Sequence, residues 1–279
     1  MIRLDDVTYT YPDSPRPVLA GVSLLIEPGT ITGVVGASGA GKTTLAKIIA
    51  GFLPQVDGGD LTGSVAVGGK DVAALSLAEA VAGVGLVIQN PFNQISGARY
   101  TVREEIAFGM ENLGTPREEM GPRVDEIAAL LRIDGLLDRS PYALSGGQMQ
   151  LVAIASMLVL RTPVLVMDEP TSQLDPAGTR LVFDVLNQLQ EAGVTVLIFE
   201  HKLELLQQHA DRLLVIADGG IAADGSATEV LADPRTLEWG VGSTRYTQAG
   251  RLARERSLLG DAPLPVSFTQ AAEVFGGHR

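Results

Sequence analysis

The chain has 279 residues, no cysteine and a formal net charge of −12, with 46% hydrophobic and 19% charged residues. This length and balance are typical of a globular protein with one large domain and a small appendage, and they exclude a disordered chain. The missing cysteines exclude disulfides, thiolate catalysis and cysteine-built zinc sites, and the acidic balance argues against nucleic acid as a main partner.

Strand-like and helix-like segments alternate, which predicts an α/β fold with helices layered on a sheet. Apolar residues at helical spacing over 45–53 predict a helix with one buried face, which Pro54 ends. Residues 103–160 are predicted to be mainly helical, with breaks at 114–116 and 140–141. Apolar runs predict strands at residues 31–35, 64–72, 84–88, 164–167, 194–199 and 213–217, the last in a hairpin.

Residues 36–44 read GASGAGKTT and fit the pattern G-x-x-x-x-G-K-[ST], with a predicted strand before it and a helix after it. Glycines at this spacing let backbone N–H groups surround a phosphate. Lys42 then reaches the β- and γ-phosphates, and the Thr43 hydroxyl is a ligand for Mg²⁺. A chance glycine turn would explain the spacing, but it would not explain the strand before the motif and the helix after it. The predicted nucleotide-binding residues are Gly36, Ala37, Ser38, Gly39, Ala40, Gly41, Lys42, Thr43 and Thr44.

Two carboxylates, Asp168 and Glu169, follow the apolar run at 164–167. A hard cation that bridges phosphates needs an oxygen ligand there, so Asp168 is predicted to bind Mg²⁺. Glu169 is placed to polarise a water for in-line attack on the γ-phosphate. A strand with an acidic end is common by itself, and the pairing with the glycine loop favours the catalytic interpretation.

Gln89 and His201 also follow predicted strands. The amide of Gln89 could orient a water and bind Mg²⁺, and His201 could donate to a γ-phosphate oxygen. Either residue alone is better explained by a structural role. Because ligands bind at the carboxyl ends of parallel strands, four such residues at four strand ends favour one site. Tyr11 is a candidate for stacking on the base, with Tyr9 as its rival and a packed surface aromatic as the alternative.

Residues 144–150 read LSGGQMQ and place Ser145 and two glycines before a predicted helix from Gln148 onward. The free N–H groups at this helix start predict a second anion site. This stretch resembles the signature of the ABC ATPase family, and the motif series over residues 1–230 follows that family's order. In the family, the signature of one subunit contacts the γ-phosphate of ATP held by another subunit. The resemblance implies a head-to-tail dimer with in-trans contacts from Ser145, Gly146, Gly147, Gln148 and Asp175, the last in a segment similar to the D-loop.

The same resemblance implies a RecA-like parallel sheet with an N-terminal antiparallel part in a domain at 1–232, and a helical subdomain at about 90–160. A short C-terminal extension then covers 233–279. Gln89 and His201 match the family's Q-loop and switch histidine. Leu151 departs from the family pattern, because many members carry arginine there. The extension resembles a dimer contact of some members, and a helical cap over apolar surface is the alternative.

Residues 89–94 (QNPFNQ) and 101–109 (TVREEIAFG) resemble the energy-coupling factor ATPases, which power micronutrient uptake. That resemblance implies ATP and Mg²⁺ as cofactors and a peripheral place on the cytoplasmic face of the membrane. It also implies three partners: a second ATPase subunit, identical or homologous, an integral membrane scaffold, and a small membrane substrate-binding subunit.

Three other classes compete with this interpretation. An ATPase of a conventional importer shares part of these motifs. A soluble ABC ATPase of repair or translation needs zinc cysteines, a long coiled coil or a second ATPase unit, none of which the sequence contains. A P-loop kinase or GTPase outside the family has no use for the signature.

Overall fold

The computed structural model describes residues 1–258 and 263–276. Its strands are β1 (Ile2–Thr10), β2 (Leu19–Ile26), β3 (Ile31–Val35), β4 (Asp60–Val67), β5 (Lys70–Asp71), β6 (Val84–Val87), β7 (Val164–Asp168), β8 (Thr195–Phe199), β9 (Arg212–Ala217) and β10 (Gly220–Gly225). Its helices are α1 (Lys42–Ile49), α2 (Leu77–Gly83), α3 (Val102–Asn112), α4 (Arg117–Leu130), α5 (Gly146–Leu158), α6 (Pro176–Glu191), α7 (Leu203–His209), α8 (Ala227–Ala232), α9 (Arg245–Glu255) and α10 (Phe268–Gly276).

Two sheets form the framework. The strand order of the larger sheet is β10-β9-β3-β8-β7-β6, and its central pairings are all parallel. The smaller sheet, β2-β1-β4-β5, is antiparallel. Strands β3, β7 and β8 are buried along their whole length because both faces of the parallel sheet are covered. The expected α/β fold, with its antiparallel N-terminal part, is confirmed.

Apolar packing on both faces of the parallel sheet forms the core. In β9, Leu213 and Val215 belong to one buried cluster, whereas Leu214 and Ile216 belong to the other. This alternation follows from the two-residue period of a strand. One cluster packs under α3 to α6 and α8, and the other under α1 and the small sheet. The sheet is therefore a rigid platform whose strand ends are held in place.

Two predicted elements have different bounds in the structure. The helix predicted over 45–53 ends at Ile49, because Gly51 adopts a φ of 72° that no right-handed helix allows. The strand predicted over 64–72 begins at Asp60, inside a turn-like sequence, because Asp60 pairs with Thr10 of β1. It ends at Val67, before a two-glycine turn. In both cases tertiary contacts decide the boundary.

The segment is mainly helical, and the break between α3 and α4 lies at the predicted 114–116. The second break is wider than the predicted 140–141, because α4 ends at Leu130, shortly before Arg132 adopts a φ of 56°, and α5 begins at Gly146. Thr101 and Ser145 cap α3 and α5 through capping boxes, which satisfy backbone N–H groups at both helix starts. Helix α5 starts at Gly146, two residues before the position predicted from the sequence. The extension is partly helical, with α9 and α10, and residues 259–262 and 277–279 of it lie outside the described residues.

Across residues 1–258 and 263–276, no helix is both long and apolar enough to cross a membrane.

Candidate functional site

Residues 36–41 join β3 to α1, and we call them the phosphate loop after their predicted role. The loop holds Lys42 inward. Lys42 is 6% exposed, and its Nζ donates to the carbonyl oxygens of Gly36 at 2.8 Å and Ala37 at 3.0 Å. Gly41, directly before the helix, has a φ of 105°, and a Cβ there would lie 2.7 Å from the Leu19 side chain. Only glycine fits this position, in conformation and in space.

The charge of Lys42 shapes the electrostatics of this loop. Burial lowers the pKa of Lys42, and the nearby carboxylates of Glu169 and Asp168 act against that shift. Within the described part of the chain, the hydrogen-bond partners of the ammonium group are these two carbonyl oxygens. A buried cation without a bonded counter-ion is a favourable place for an anionic phosphate.

A hydroxyl and a carboxylate meet at the end of β7. The Thr43 hydroxyl donates to Asp168 Oδ2 at 2.6 Å. Burial raises the pKa of Asp168, and the hydrogen bond from Thr43 opposes that effect. Oxygen donors of these two kinds fit Mg²⁺, which binds through one or two protein oxygens together with phosphate oxygens. Among the described residues, no group of three or more Asp, Glu or His is arranged to hold a metal by itself.

Glu169 is held from both sides by residues of two other strand ends. Gln89 Nε2 donates to its Oε2 at 2.7 Å, and His201 Nε2 lies 2.9 Å from its Oε1. The backbone of Glu169 has a φ of 47°, a left-handed conformation that is strained for a residue with a side chain. Its N–H donates to Phe199 O of β8, which helps to keep the residue in place. Strain at such a site is commonly part of its function.

These side chains surround one hollow of about 400 Å³ at the carboxyl edge of the parallel sheet. That size lies within the range of small-ligand sites. It is lined by Tyr11, Val18, Ser38, Gly39, Gly41, Lys42, Thr43, Thr44, Gln89 and Glu169. His201 and Asp168 border it through their bonds to Glu169 and Thr43. The structure therefore brings together most of the residues that the sequence analysis assigned to the site.

The two tyrosines differ in what they can offer. Tyr9 is fully buried and donates to Gly58 O at 2.7 Å. Tyr11 is half-buried, packs edge-on against Tyr9 and faces the hollow, with its hydroxyl 3.1 Å from Thr44 Oγ1. Only Tyr11 has ring surface free for a base.

The signature residues lie elsewhere, and none of 144–148 lines the hollow. Ser145 is exposed and its Oγ accepts from the N–H of Gln148, as the cap of α5. A Cβ on Gly147 would lie 3.1 Å from Gln173 O, so the signature packs against the segment that ends in Asp175. Asp175 itself caps α6, accepting from the N–H of Gly178 at 2.7 Å. These residues form a second surface, separate from the nucleotide hollow.

The sequence analysis missed a cluster that carries His201. Glu200 is buried and accepts from the Thr171 hydroxyl and from the N–H of His201. Lys202 Nζ donates to Thr171 O and to Thr179 Oγ1, both at 3.0 Å. The loop of His201 is thereby tied to the turn that follows Glu169. In the sequence, the cluster shows only as two charged residues, Glu200 and Lys202, on either side of His201. The threonines that they bind are some 20 to 30 residues away in the chain.

Gln94 is a second missed residue. Its Oε1 accepts from the N–H of Ile88 at 3.0 Å, and its Nε2 donates to Ala153 O at 3.3 Å. One amide therefore links the loop of Gln89 to α5, the helix that begins at the signature. Nothing in the spacing of the sequence distinguishes Gln94 from an ordinary loop amide.

Comparison with known proteins gives a family. Residues 19–172 match the family model described as ABC transporter. A putative ABC transporter ATP-binding protein of Methanosarcina mazei is 38% identical over 232 residues, 83% of this chain, and this chain spans 39% of its length. An energy-coupling factor transporter ATP-binding protein of Lactobacillus delbrueckii is 40% identical over 239 residues, 85% of this chain and 83% of that protein.

Solved structures agree with this match. The cbiO1 protein of Clostridium perfringens, part of the ABC transporter complex cbiONQ, superposes with a TM-score of 0.73 at 28% identity, covering 91% of this chain and 98% of that one. A dimeric ATP-binding cassette in a post-hydrolysis state, bound to ADP and Pi, gives a TM-score of 0.72 at 27% identity, covering 81% and 99%.

Lys202→Met tests the cluster beside His201. The change removes two hydrogen bonds from a charged donor, each worth about 1.5–3 kcal/mol, and loosens the His201 loop against Thr171. We expect kcat for ATP hydrolysis to fall roughly tenfold or more, since 1.4 kcal/mol corresponds to a factor of ten, with little change in KM. Lys202→Arg should restore part of the rate.

Lys70→Met, at an exposed position of β5, is the matched control and should hydrolyse ATP normally. Steady-state kinetics and melting curves measure both effects. A Lys202→Met protein with a lower melting temperature but normal kcat would show that the cluster is only structural.

Proposed function

The chain belongs to the ABC transporter family, whose ATP-binding subunits hydrolyse ATP and work as dimers, and we propose that it powers micronutrient uptake as an ATPase subunit of an energy-coupling factor transporter. The observation that carries the ATPase part is the convergence of Lys42, the Thr43–Asp168 pair and Glu169 at one edge of the sheet. The transporter class is supported by the likeness to the Lactobacillus protein and to cbiO1.

In the proposed site, the nucleotide lies in the 400 Å³ hollow with its base on Tyr11 and its phosphates inside the glycine loop. The ammonium group of Lys42 exchanges the carbonyl oxygens of Gly36 and Ala37 for β- and γ-phosphate oxygens. Thr43, Asp168 and Gln89 are the residues that would hold Mg²⁺, which when bound offsets the negative charge of the phosphates.

Glu169 is the proposed general base for hydrolysis. Its carboxylate takes a proton from the water as the water oxygen bonds to the γ-phosphorus and the bond to the β,γ-bridging oxygen breaks, leaving ADP. Gln89 and His201 both contact this carboxylate and hold it in position before ATP binds. With ATP bound, the Nε2–H of His201 donates to a γ-phosphate oxygen instead of the carboxylate. Each of these three residues follows a strand of the parallel sheet by one or two positions, so the sheet fixes their alignment.

The signature surface supports the dimer. Ser145 is exposed at the start of α5, and Gly146 and Gly147 are the first residues of that helix. N–H groups at this position have no partner within the helix, which favours an anion. Because no residue of 144–148 lines the nucleotide hollow of its own subunit, we assign Ser145, Gly146, Gly147, Gln148 and Asp175 to the ATP of a second subunit, identical or homologous.

Exposed aromatic residues mark the proposed contact with the membrane scaffold. Phe92, Tyr100 and Tyr142 are 61%, 89% and 70% exposed, and they flank the loop that follows Gln89. Aromatic side chains are enriched at protein interfaces. A scaffold segment docked there touches the same loop that holds Glu169, so hydrolysis and scaffold movement are coupled. In the proposed complex the chain lies at the cytoplasmic face of the membrane, and the small substrate-binding subunit is bound through the scaffold.

A pull-down tests the proposed transporter class. The tagged protein is recovered from native membranes in mild detergent, and stoichiometric partners are identified by mass spectrometry. A multi-span scaffold with a small membrane protein is the expected result. A permease with a secreted binding protein would replace the proposal with a conventional importer, and only soluble partners would overturn the transport role.

Glu169→Gln tests the general base. The amide keeps the shape of the side chain but cannot accept the proton, so we expect ATP binding to persist while kcat falls about 100-fold or more. The variant should also accumulate as an ATP-bound dimer, measured by gel filtration with ATP and Mg²⁺. Turnover at the wild-type rate would contradict the assignment.

Ser145→Arg tests the in-trans contact. The bulky cation fills the surface that we assign to the partner's γ-phosphate, so ATPase activity should be lost. Binding of ATP to a single subunit, measured by calorimetry at low protein concentration, should stay near wild type, because Ser145 does not line that hollow. An equal loss of binding and activity would refute the in-trans role.

A further inference from the structure

The first residues of the C-terminal extension form a compact turn rather than a loose tail. Within 233–242, the N–H of Trp239 donates to Arg235 O at 3.0 Å, and the N–H of Val241 donates to Thr236 O at 2.9 Å. Thr236 is fully buried, and the Arg235 guanidinium lies 4.9 Å from the centre of the Trp239 ring. We call residues 233–241, which these bonds close, the brace turn.

The brace turn touches the phosphate loop from outside the nucleotide hollow. A Cβ built on Gly240 would lie 2.9 Å from Ala37 Cβ and 3.5 Å from Ala37 Cα. Residues 238–240 and 37–40, together with the turn between β9 and β10, line a separate hollow of about 500 Å³. The backbone at Gly240 therefore packs on the loop as closely as a glycine allows.

Ala37 is the residue through which this contact reaches the ATP site. Its carbonyl oxygen accepts from Lys42 Nζ at 3.0 Å and from the N–H of Ala40 at 3.2 Å. A shift of Ala37 by a few tenths of an ångström changes the position of both donors. Those donors belong to the loop that surrounds the phosphates.

A second link ties the extension to the other side of the site. The N–H of Arg245, at the start of α9, donates to Glu204 Oε1 at 3.0 Å. Glu204 lies on α7, the helix that follows His201. The extension thus contacts the phosphate loop at one end and the helix after His201 at the other.

We propose that Gly240 is a positioning residue for ATP binding, because the brace turn holds Ala37 and with it the phosphate loop in a binding-competent position. Whatever moves the brace turn changes the affinity for ATP, and ATP binding in turn restrains the brace turn, since coupling between two sites is reciprocal. The extension is then a route by which a contact at the C-terminal end of the protein changes nucleotide affinity. The coupling rests on the proposed binding of ATP in the 400 Å³ hollow and is independent of the transported solute.

The chain offers a matched pair of glycines for the test. Gly240 and Gly242 have φ values of 68° and 85°, so alanine is strained to a similar degree at both positions. A Cβ on Gly242 meets nothing within 4 Å, whereas a Cβ on Gly240 meets Ala37. We expect Gly240→Ala to weaken ATP binding about tenfold by calorimetry, with Gly242→Ala within about twofold of wild type, although both lower the melting temperature.

A double variant distinguishes the loss of the Gly240–Ala37 contact geometry from a general loss of stability. In Gly240→Ala combined with Ala37→Gly, the clashing methyl is gone and the new Cβ lies 3.5 Å from the Cα of residue 37, an ordinary contact. The double variant should then bind ATP about as well as Ala37→Gly alone, which is the non-additivity expected of touching residues.

Three results would overturn the proposal. Wild-type ATP affinity in Gly240→Ala would show that the contact does not position the loop. An equal loss of affinity in Gly242→Ala would show that backbone strain is the cause. If Gly240→Ala fails to fold, the comparison of the double variant with Ala37→Gly decides, and a double variant that binds ATP more weakly than Ala37→Gly refutes the coupling.

Discussion

The register of the parallel sheet is the constraint on which the site depends. Val34 pairs with Phe199, and Phe199 pairs with Asp168, so β3, β8 and β7 end in one row. The phosphate loop, the His201 loop and the two carboxylates leave the sheet from that row. A slip of one residue in any pairing would turn these side chains to the opposite face. The apolar clusters on both faces of the sheet prevent such a slip, because the buried apolar residues of these strands are divided between them.

Charge burial at this edge is tolerated because each group is bonded to others. Lys42, Asp168 and Glu200 are each less than 7% exposed, yet each has hydrogen-bond partners within the site. Burial moves the pKa of Lys42 down and that of Asp168 up, so both are driven towards their neutral forms. In the proposed site, a nucleotide phosphate lies against Lys42 and a divalent cation against Asp168, each with the opposite charge. Burying these charges costs folding free energy, and a ligand of opposite charge offsets part of that cost, which favours ligand binding.

The same molecule presents two kinds of helix start, which differ in how far they are enclosed. The start of α1 is enclosed by the phosphate loop and faces its own hollow. The start of α5 is exposed and capped by Ser145, next to the segment of Asp175. Gln94 joins the two regions, because its amide bonds both to the loop of Gln89 and to α5. A change at the nucleotide can therefore reach the surface that faces a partner.

The sequence by itself determined the local features: the phosphate loop, the capped helix starts, the buried strands and the carboxylates at the end of β7. These depend on residues within about ten positions of one another, where spacing and backbone preference decide. Tertiary structure alone decided that Tyr11 and not Tyr9 faces the hollow, and that β4 begins at Asp60. It also decided that Glu200 and Lys202 tie His201 to Thr171, and that Gly240 packs on Ala37. These contacts join residues far apart in the chain, and their partners are set by how the sheets and the extension pack, which no local pattern records.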